Sequence, residues 1–285
     1  MPLPITFSAT MNKTIFILLP ILLLSACNSL FYFPADQKIY NENIPEKHSS
    51  GFVESGSGSR LHYFYFQSEH PHTLIVFFHG NSRNITSSYK NFLWAVPKGY
   101  DLLVWDYSGY GESMGKATRE NIYKDSLSIL KFAVKTKKEK NLYLITIGQS
   151  LGGAVMLGAL GGFDERSEVD IILADCTFWS YKEIAREGVR KFACLPGCAA
   201  FLVTDTHAPY KIFSQIKDIP IIISHCRDDK TVSFHHGEEL YEKLESKNKR
   251  FIEFSCKHTA AYWRKENQEQ LLNIFTEILG NQKKP

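Results

Sequence analysis

Two pentapeptides of this chain have the form Gly-x-Ser-x-Gly: Gly111-Glu112-Ser113-Met114-Gly115 and Gly148-Gln149-Ser150-Leu151-Gly152. A serine between two glycines is a candidate nucleophile where a strand runs straight into a tight turn and a helix leaves at once. Such a turn lifts the hydroxyl above the sheet edge, and the glycines tolerate the crowding it causes. Only the second pentapeptide has this setting. The apolar run Leu142–Ile147 abuts Gly148, and Leu151-Gly152-Gly153-Ala154-Val155-Met156 begins a helix with small residues that permit close approach. Ser113 is separated from its strand by Asp106-Tyr107-Ser108-Gly109-Tyr110, and a polar loop follows it. Ser150 is therefore the candidate nucleophile, and Ser113 is expected to be structural.

A serine hydroxyl attacks only when a histidine takes its proton and a carboxylate holds that imidazole. With the nucleophile on a strand-to-helix turn, the acid and then the histidine follow along the chain. The run Ile219–Ile223 ends in Ser224-His225-Cys226-Arg227-Asp228-Asp229-Lys230-Thr231-Val232. A carboxylate thus falls just past a strand's C-terminal end, where sites on α/β sheets gather. Spacing admits either Asp228 or Asp229. The last apolar run, Phe251–Phe254, is followed by Ser255-Cys256-Lys257-His258, which sets His258 on the next loop of the same edge. His225 ends a strand and reads as a hydrogen-bonded structural histidine, while His235 and His236 start a helix. The negative oxygen of a tetrahedral intermediate also needs donors. The backbone amide of Leu151 supplies one, and that of Asn81, after the run Leu74–Phe78, supplies the other, with Gly80 allowing the approach.

The elements that must position these residues follow from the spacing of apolar runs. Leu74–Phe78, Leu102–Trp105, Leu142–Ile147, Ile171–Ala174, Ile219–Ile223 and Phe251–Phe254 are short and nearly continuous, as strands buried on both faces are. Helix-length segments lie between or after them, at Glu120–Lys135, Leu151–Gly161, His235–Ser246 and Tyr262–Leu279. This alternation predicts an α/β fold with a mostly parallel central sheet and helices on both faces. Gly56-Ser57-Gly58-Ser59 reads as a hairpin turn. The stretch Thr177–Gln215 is too long for a plain connection and holds Phe178, Trp179, Tyr181, Phe192 and Phe201, so it predicts a cap insertion over about 177–215. Lys135, Lys137, Lys138 and Lys140 read as a solvated helix end.

Length and composition fit one large core: 285 residues, 44% hydrophobic, 22% charged. A net charge of +3 gives no reason to expect a nucleic-acid partner. At the N-terminus, Asn12 and Lys13 precede an apolar run, Ile15–Leu24, that closes on Ser25 and Ala26. That is the layout of an exported signal, and the run is about half the ~20 residues a spanning helix needs. Met11 would give a shorter signal than Met1. If Cys27 is set aside, Cys176, Cys194, Cys198, Cys226 and Cys256 remain, an odd number that forbids complete internal pairing. In an oxidising compartment either Cys194 with Cys198 or Cys226 with Cys256 could be bridged. The cysteines and histidines do not fall at zinc-type spacing, so no metal is expected.

Leu24-Ser25-Ala26-Cys27 resembles the lipobox of bacterial lipoproteins. The resemblance implies a signal peptide over 1–26, an acyl chain such as palmitate on Cys27 and a tether over 27–50. Asn28 after that cysteine implies an envelope lipoprotein of the outer membrane, facing the periplasm. Residues 51–285 are then the catalytic domain. They resemble the α/β-hydrolase superfamily, and within it the small-cap, serine-aminopeptidase-like branch. The motifs that carry this are Phe33-Pro34-Ala35-Asp36, His79-Gly80-Asn81, Asp106 to Ser113, the Ser150 turn, His225 to Val232 and Lys257-His258. The family's acid segment, H-G-x-x-D-x-x-V, selects Asp229 over Asp228, and its Asp106 loop carries a serine that is not the nucleophile. Ser108 and Cys226 depart from the common arginine and glycine. The resemblance implies a serine hydrolase that cleaves a carboxylic ester or acyl thioester through an acyl-enzyme, with no cofactor, on a small-molecule or lipid substrate. A peptidase of the same fold, or a non-catalytic envelope lipoprotein, is the alternative.

Overall fold

A computed structural model describes residues 31–34, 44, 47–192 and 203–281. Cys27, the signal segment, Cys194 and Cys198 lie outside these residues. The chain builds a sheet of eight strands in the order β10-β9-β8-β7-β4-β6-β3-β2. These are β2 (Ser49–Glu54), β3 (Arg60–Phe66), β4 (Thr73–Phe78), β6 (Tyr100–Trp105), β7 (Tyr143–Gln149), β8 (Ile171–Asp175), β9 (Ile221–Cys226) and β10 (Lys249–Phe254). From β6 to β10 every pair is parallel, whereas β2 and β3 are antiparallel and join around the Gly56–Ser59 turn. A separate parallel pair links β1 (Phe33–Pro34) to β5 (Ser82–Arg83).

The continuous apolar runs are explained by two hydrophobic layers. Leu74, Val76 and Phe78 of β4 face one layer, which holds Leu130, Val134 and Leu157 from the helices Arg119–Lys140 and Leu151–Gly162. Ile75 and Phe77 face the other, with Leu271 and Phe275 of the helix Lys265–Gly280. Each such side chain contributes about 1.5–3 kcal/mol by leaving water. The expected α/β class and the helices on both faces are what the chain adopts.

Several boundaries differ from the sequence reading. The strand expected at Ile219–Ile223 runs instead from Ile221 to Cys226, because its polar end is satisfied internally: Ser224 Oγ donates to Asp175 Oδ1 at 2.6 Å. The lysine cluster is not merely solvated. Lys137 is buried and donates to the Glu168 carbonyl and to Asp170, while Lys140 reaches Asp101 and Tyr65, so this helix end is pinned to the sheet. Part of the expected tether is docked structure. Tyr32 is buried in the core beside Phe33 of β1, and Ser49 and Ser50 belong to β2. Within 177–215, a helix spans Tyr181–Phe192 and a 3₁₀ turn spans Pro209–Gln215. That turn packs along the Leu151–Gly162 helix, where a Cβ at Gly161 would lie 2.0 Å from Ile212.

Candidate active site

Strand β7 ends at Gln149 and the helix begins at Leu151, leaving Ser150 alone at the turn with φ 55° and ψ −125°. A non-glycine residue in that region carries strain of order 1–3 kcal/mol, which the surroundings must hold in place. They do so from both sides. The Ser150 N–H donates to the Asp175 carbonyl at 2.9 Å, and Thr177 Oγ1 donates to the Ser150 carbonyl at 2.6 Å. The glycines are needed for clearance: a Cβ at Gly152 would sit 2.1 Å from the Phe78 carbonyl oxygen, and one at Gly148 would sit 2.6 Å from Gly153 Cα.

Three side chains expected to act together are within hydrogen-bonding reach. The Ser150 hydroxyl lies 3.0 Å from His258 Nε2, and His258 Nδ1 lies 2.6 Å from Asp229 Oδ2. With Nδ1–H donating to the carboxylate, Nε2 is free to accept from the serine. The other Asp229 oxygen accepts the backbone amides of Thr231 and Val232 at 2.8 and 2.9 Å, which fixes the carboxylate. Asp228 is exposed, and the carboxylate that meets His258 is that of Asp229. Burial alone would raise the Asp229 carboxyl. Bonds from His225 and His258, the charge of His258 and the Val232 amide outweigh it and hold the group below the usual carboxylate range.

The acid and histidine loops are also joined covalently. Cys226 and Cys256, at the ends of β9 and β10, form a disulfide with Cα atoms 5.0 Å apart. Asp229 lies three positions after Cys226, and His258 two positions after Cys256. The Asp228 amide donates to the Cys256 carbonyl at 3.2 Å, adding a backbone link between the same loops.

On the opposite side of Ser150, Gly80 brings the loop after β4 close: a Cβ there would be 3.6 Å from Ser150 Cβ. Next to it, Asn81 is held at two points. Its Oδ1 accepts the Phe33 amide at 2.9 Å, and its carbonyl accepts Tyr110 Oη at 2.8 Å. Leu151, the other expected amide donor, is buried at the first turn of its helix. Ser113, in contrast, is buried and doubly used, donating to the Asp106 carbonyl at 2.7 Å and accepting the His62 amide at 2.8 Å.

Sequence reasoning missed a layer of supporting residues. Asp175, wholly buried, accepts from Ser224 and from Gln149 Nε2 at 2.8 Å; burial raises its carboxyl, against the pull of those two hydrogen bonds. His79 lies with Nε2 3.3 Å from Asp106, and Tyr107 Oη donates to its carbonyl at 2.7 Å. The signal for Asp175 was present, since it closes an apolar run just as the Ile219–Ile223 run leads to Asp229. His225 is structural as expected: its Nε2 donates to the Val232 carbonyl at 2.9 Å.

Two groups of side chains among the described residues approach closely enough to share a metal ion: Cys176 with His225 and Asp229, and Glu187 with His235 and His236. Both are already engaged. Asp229 is bound to His258 and two amides, and burial pushes the Cys176 thiol well above its ordinary range, so it stays protonated. Glu187 accepts from Ser233 and from His236 Nε2, tying the Tyr181–Phe192 helix to the segment after the acid loop. A groove beside His258, about 970 Å³, is walled by Lys230, Lys257, Trp263 and Arg264.

A parallel sheet, a strained serine at a strand-to-helix turn, and a carboxylate and histidine from later loops define an α/β-hydrolase. The chain has the α/β-hydrolase fold. Residues 69–197 match the family described as serine aminopeptidase, S33. YfhR of Escherichia coli K12 is 26% identical over 270 residues, covering 89% of each protein. Lysophosphatidylserine lipase ABHD12 of Danio rerio is 26% identical over 234 residues, covering 75% of this chain and 59% of that protein. The fold is similar to that of the Pyrococcus furiosus esterase Pf2001, with a TM-score of 0.68, 18% identity, and coverage of 86% of this chain and 98% of that one.

Proposed function

We propose that the chain is a serine hydrolase that cleaves a carboxylic ester or acyl thioester at a membrane surface, through an acyl-enzyme on Ser150. The observation that carries this reading is the continuous hydrogen-bonded line from Ser150 Oγ through His258 to Asp229. His258 takes the serine proton as Oγ attacks the acyl carbon. Asp229 keeps the imidazole in the tautomer that can accept and stabilises the cation that forms. The backbone amides of Leu151 and Asn81 hold the developing oxyanion, a role in which a single donor is worth about 3 kcal/mol. His258 then protonates the leaving group and afterwards activates the water that frees the acid.

An acyl substrate is favoured by the lipase and esterase names among similar proteins, one of which is a lysophosphatidylserine lipase. Membrane attachment is favoured by the lipobox-like Leu24-Ser25-Ala26-Cys27, with Cys27 as the acylated residue of an envelope lipoprotein, outer-membrane and facing the periplasm. The Cys226–Cys256 disulfide accords with such an oxidising compartment. Turnover of p-nitrophenyl acyl esters, with an aminoacyl p-nitroanilide in parallel, tests the reaction. Ester cleavage that vanishes in Ser150→Ala is expected, and equal rates in both proteins would sink the assignment.

A further inference from the structure

The short strand that follows Cys27 is bonded to the loop beside Ser150. Phe33 and Pro34 pair in parallel with Ser82 and Arg83, and the Phe33 amide donates to Asn81 Oδ1 at 2.9 Å. Tyr32 is buried against the core while Phe33 turns its ring outward, 57% exposed. The docking is firm on the Tyr32 side, where the Arg119 guanidinium stacks 3.9 Å over Tyr181 and 5.5 Å from the Phe31 ring. The chain therefore reaches the oxyanion loop before it reaches any strand of the main sheet.

Phe33 lies six positions after Cys27. Even fully extended those six steps span only about 20 Å, at ~3.3–3.6 Å per residue. From this reach we infer that the face carrying Asn81 and Phe33 is held against the lipid bilayer, so that the substrate is an acyl ester or thioester resident in that bilayer. The inference rests on the proposed lipid anchor and hydrolase activity. A globular domain on a long tether would sample all orientations. Here the exit point of the anchor and one wall of the active site are the same short strand, so only one face of the domain can be near the membrane. An exposed aromatic ring at that exit suits the interface, where amphipathic and aromatic side chains gather. Phe33 also becomes a positioning residue: its amide orients Asn81, and Asn81 carries the oxyanion donor.

The test uses the full-length, processed protein on vesicles of phosphatidylethanolamine and phosphatidylglycerol. A flexible Gly-Ser segment of about ten residues inserted between Leu30 and Phe31 lengthens the reach by up to ~35 Å and leaves the docked strand intact. Turnover of a long-chain acyl ester of 4-methylumbelliferone dissolved in the vesicles is expected to fall at least fivefold, while p-nitrophenyl butyrate in solution is cleaved at the parent rate. Phe33→Trp read against doxyl-labelled lipid gives a second measure that needs no turnover: added quenching is expected in the parent and is lost on insertion. Phe33→Pro removes the amide donated to Asn81 and is expected to lower kcat on both substrates with little change in KM. Vesicle turnover and quenching that ignore the insertion would overturn the inference, as would failure of Cys27 to incorporate a palmitate analogue in cells. If p-nitrophenyl esters are not cleaved, the hydrolase reading fails, and the quenching still decides the orientation.

Discussion

Ser113 and Ser150 sit in the same five-residue pattern and have opposite fates. Ser113 lies in a loop, buried, with its hydroxyl donating to the Asp106 carbonyl and accepting the His62 amide. Ser150 stands just past the end of a strand, and its hydroxyl meets His258. The pentapeptide provides room, and the backbone decides what the serine does with it. A strand entering the turn forces the positive φ at Ser150 and aims the side chain out of the sheet edge. A loop lets the side chain fold back to satisfy its own backbone.

Substitutions separate the two serines, with the largest effect at Ser150. Ser150→Ala is expected to lower kcat on p-nitrophenyl esters by roughly 10⁴–10⁶-fold with the fold intact, measured by steady-state kinetics beside circular dichroism. Asp229→Asn should cost about 10⁴-fold by presenting the wrong imidazole tautomer, whereas Asp228→Asn should leave kcat nearly unchanged. Replacing Cys226 and Cys256 with serine together should lower unfolding free energy by about 2–4 kcal/mol. Because both loops lose their common tie, kcat should also fall severalfold, which denaturant titration and kinetics would show. Ser113→Ala reverses the pattern of Ser150. It leaves the His62 amide without its acceptor and should lower stability by about 1–3 kcal/mol, with the catalytic rate retained.

Acidity gives a smaller, signed effect. The Asp229 carboxyl titrates lower in the folded protein than the ~3.9 of an unfolded chain. Its contribution to stability is therefore fully present above about pH 4 and is lost as pH falls through the folded value. Denaturation midpoints between pH 6 and 3 should drop more steeply for the parent than for Asp229→Asn.

How far the sequence could be read follows the same division between local and distant causes. Strands such as Leu74–Phe78 and Leu102–Trp105 were legible because burial on both faces demands unbroken apolar runs. So were Ser150, Asp229 and His258, although Asp229 over Asp228 came from family resemblance and not from spacing. The polar end of β9 was not legible, since Ser224 is tolerated inside only because Asp175 accepts its proton from a neighbouring strand. The docking of Tyr32 and Phe33 was hidden for a similar reason. A two-residue strand has no periodicity, and its partner, Ser82–Arg83, lies nearly fifty positions away.

Labelling with a fluorophosphonate probe, followed by peptide mass mapping, addresses the assignment most directly. One phosphonyl adduct is expected on the peptide holding Ser150, absent from Ser150→Ala and present at the parental level in Ser113→Ala. An adduct on any other serine, or a parent protein that stays unlabelled while folded and monodisperse, would contradict the account.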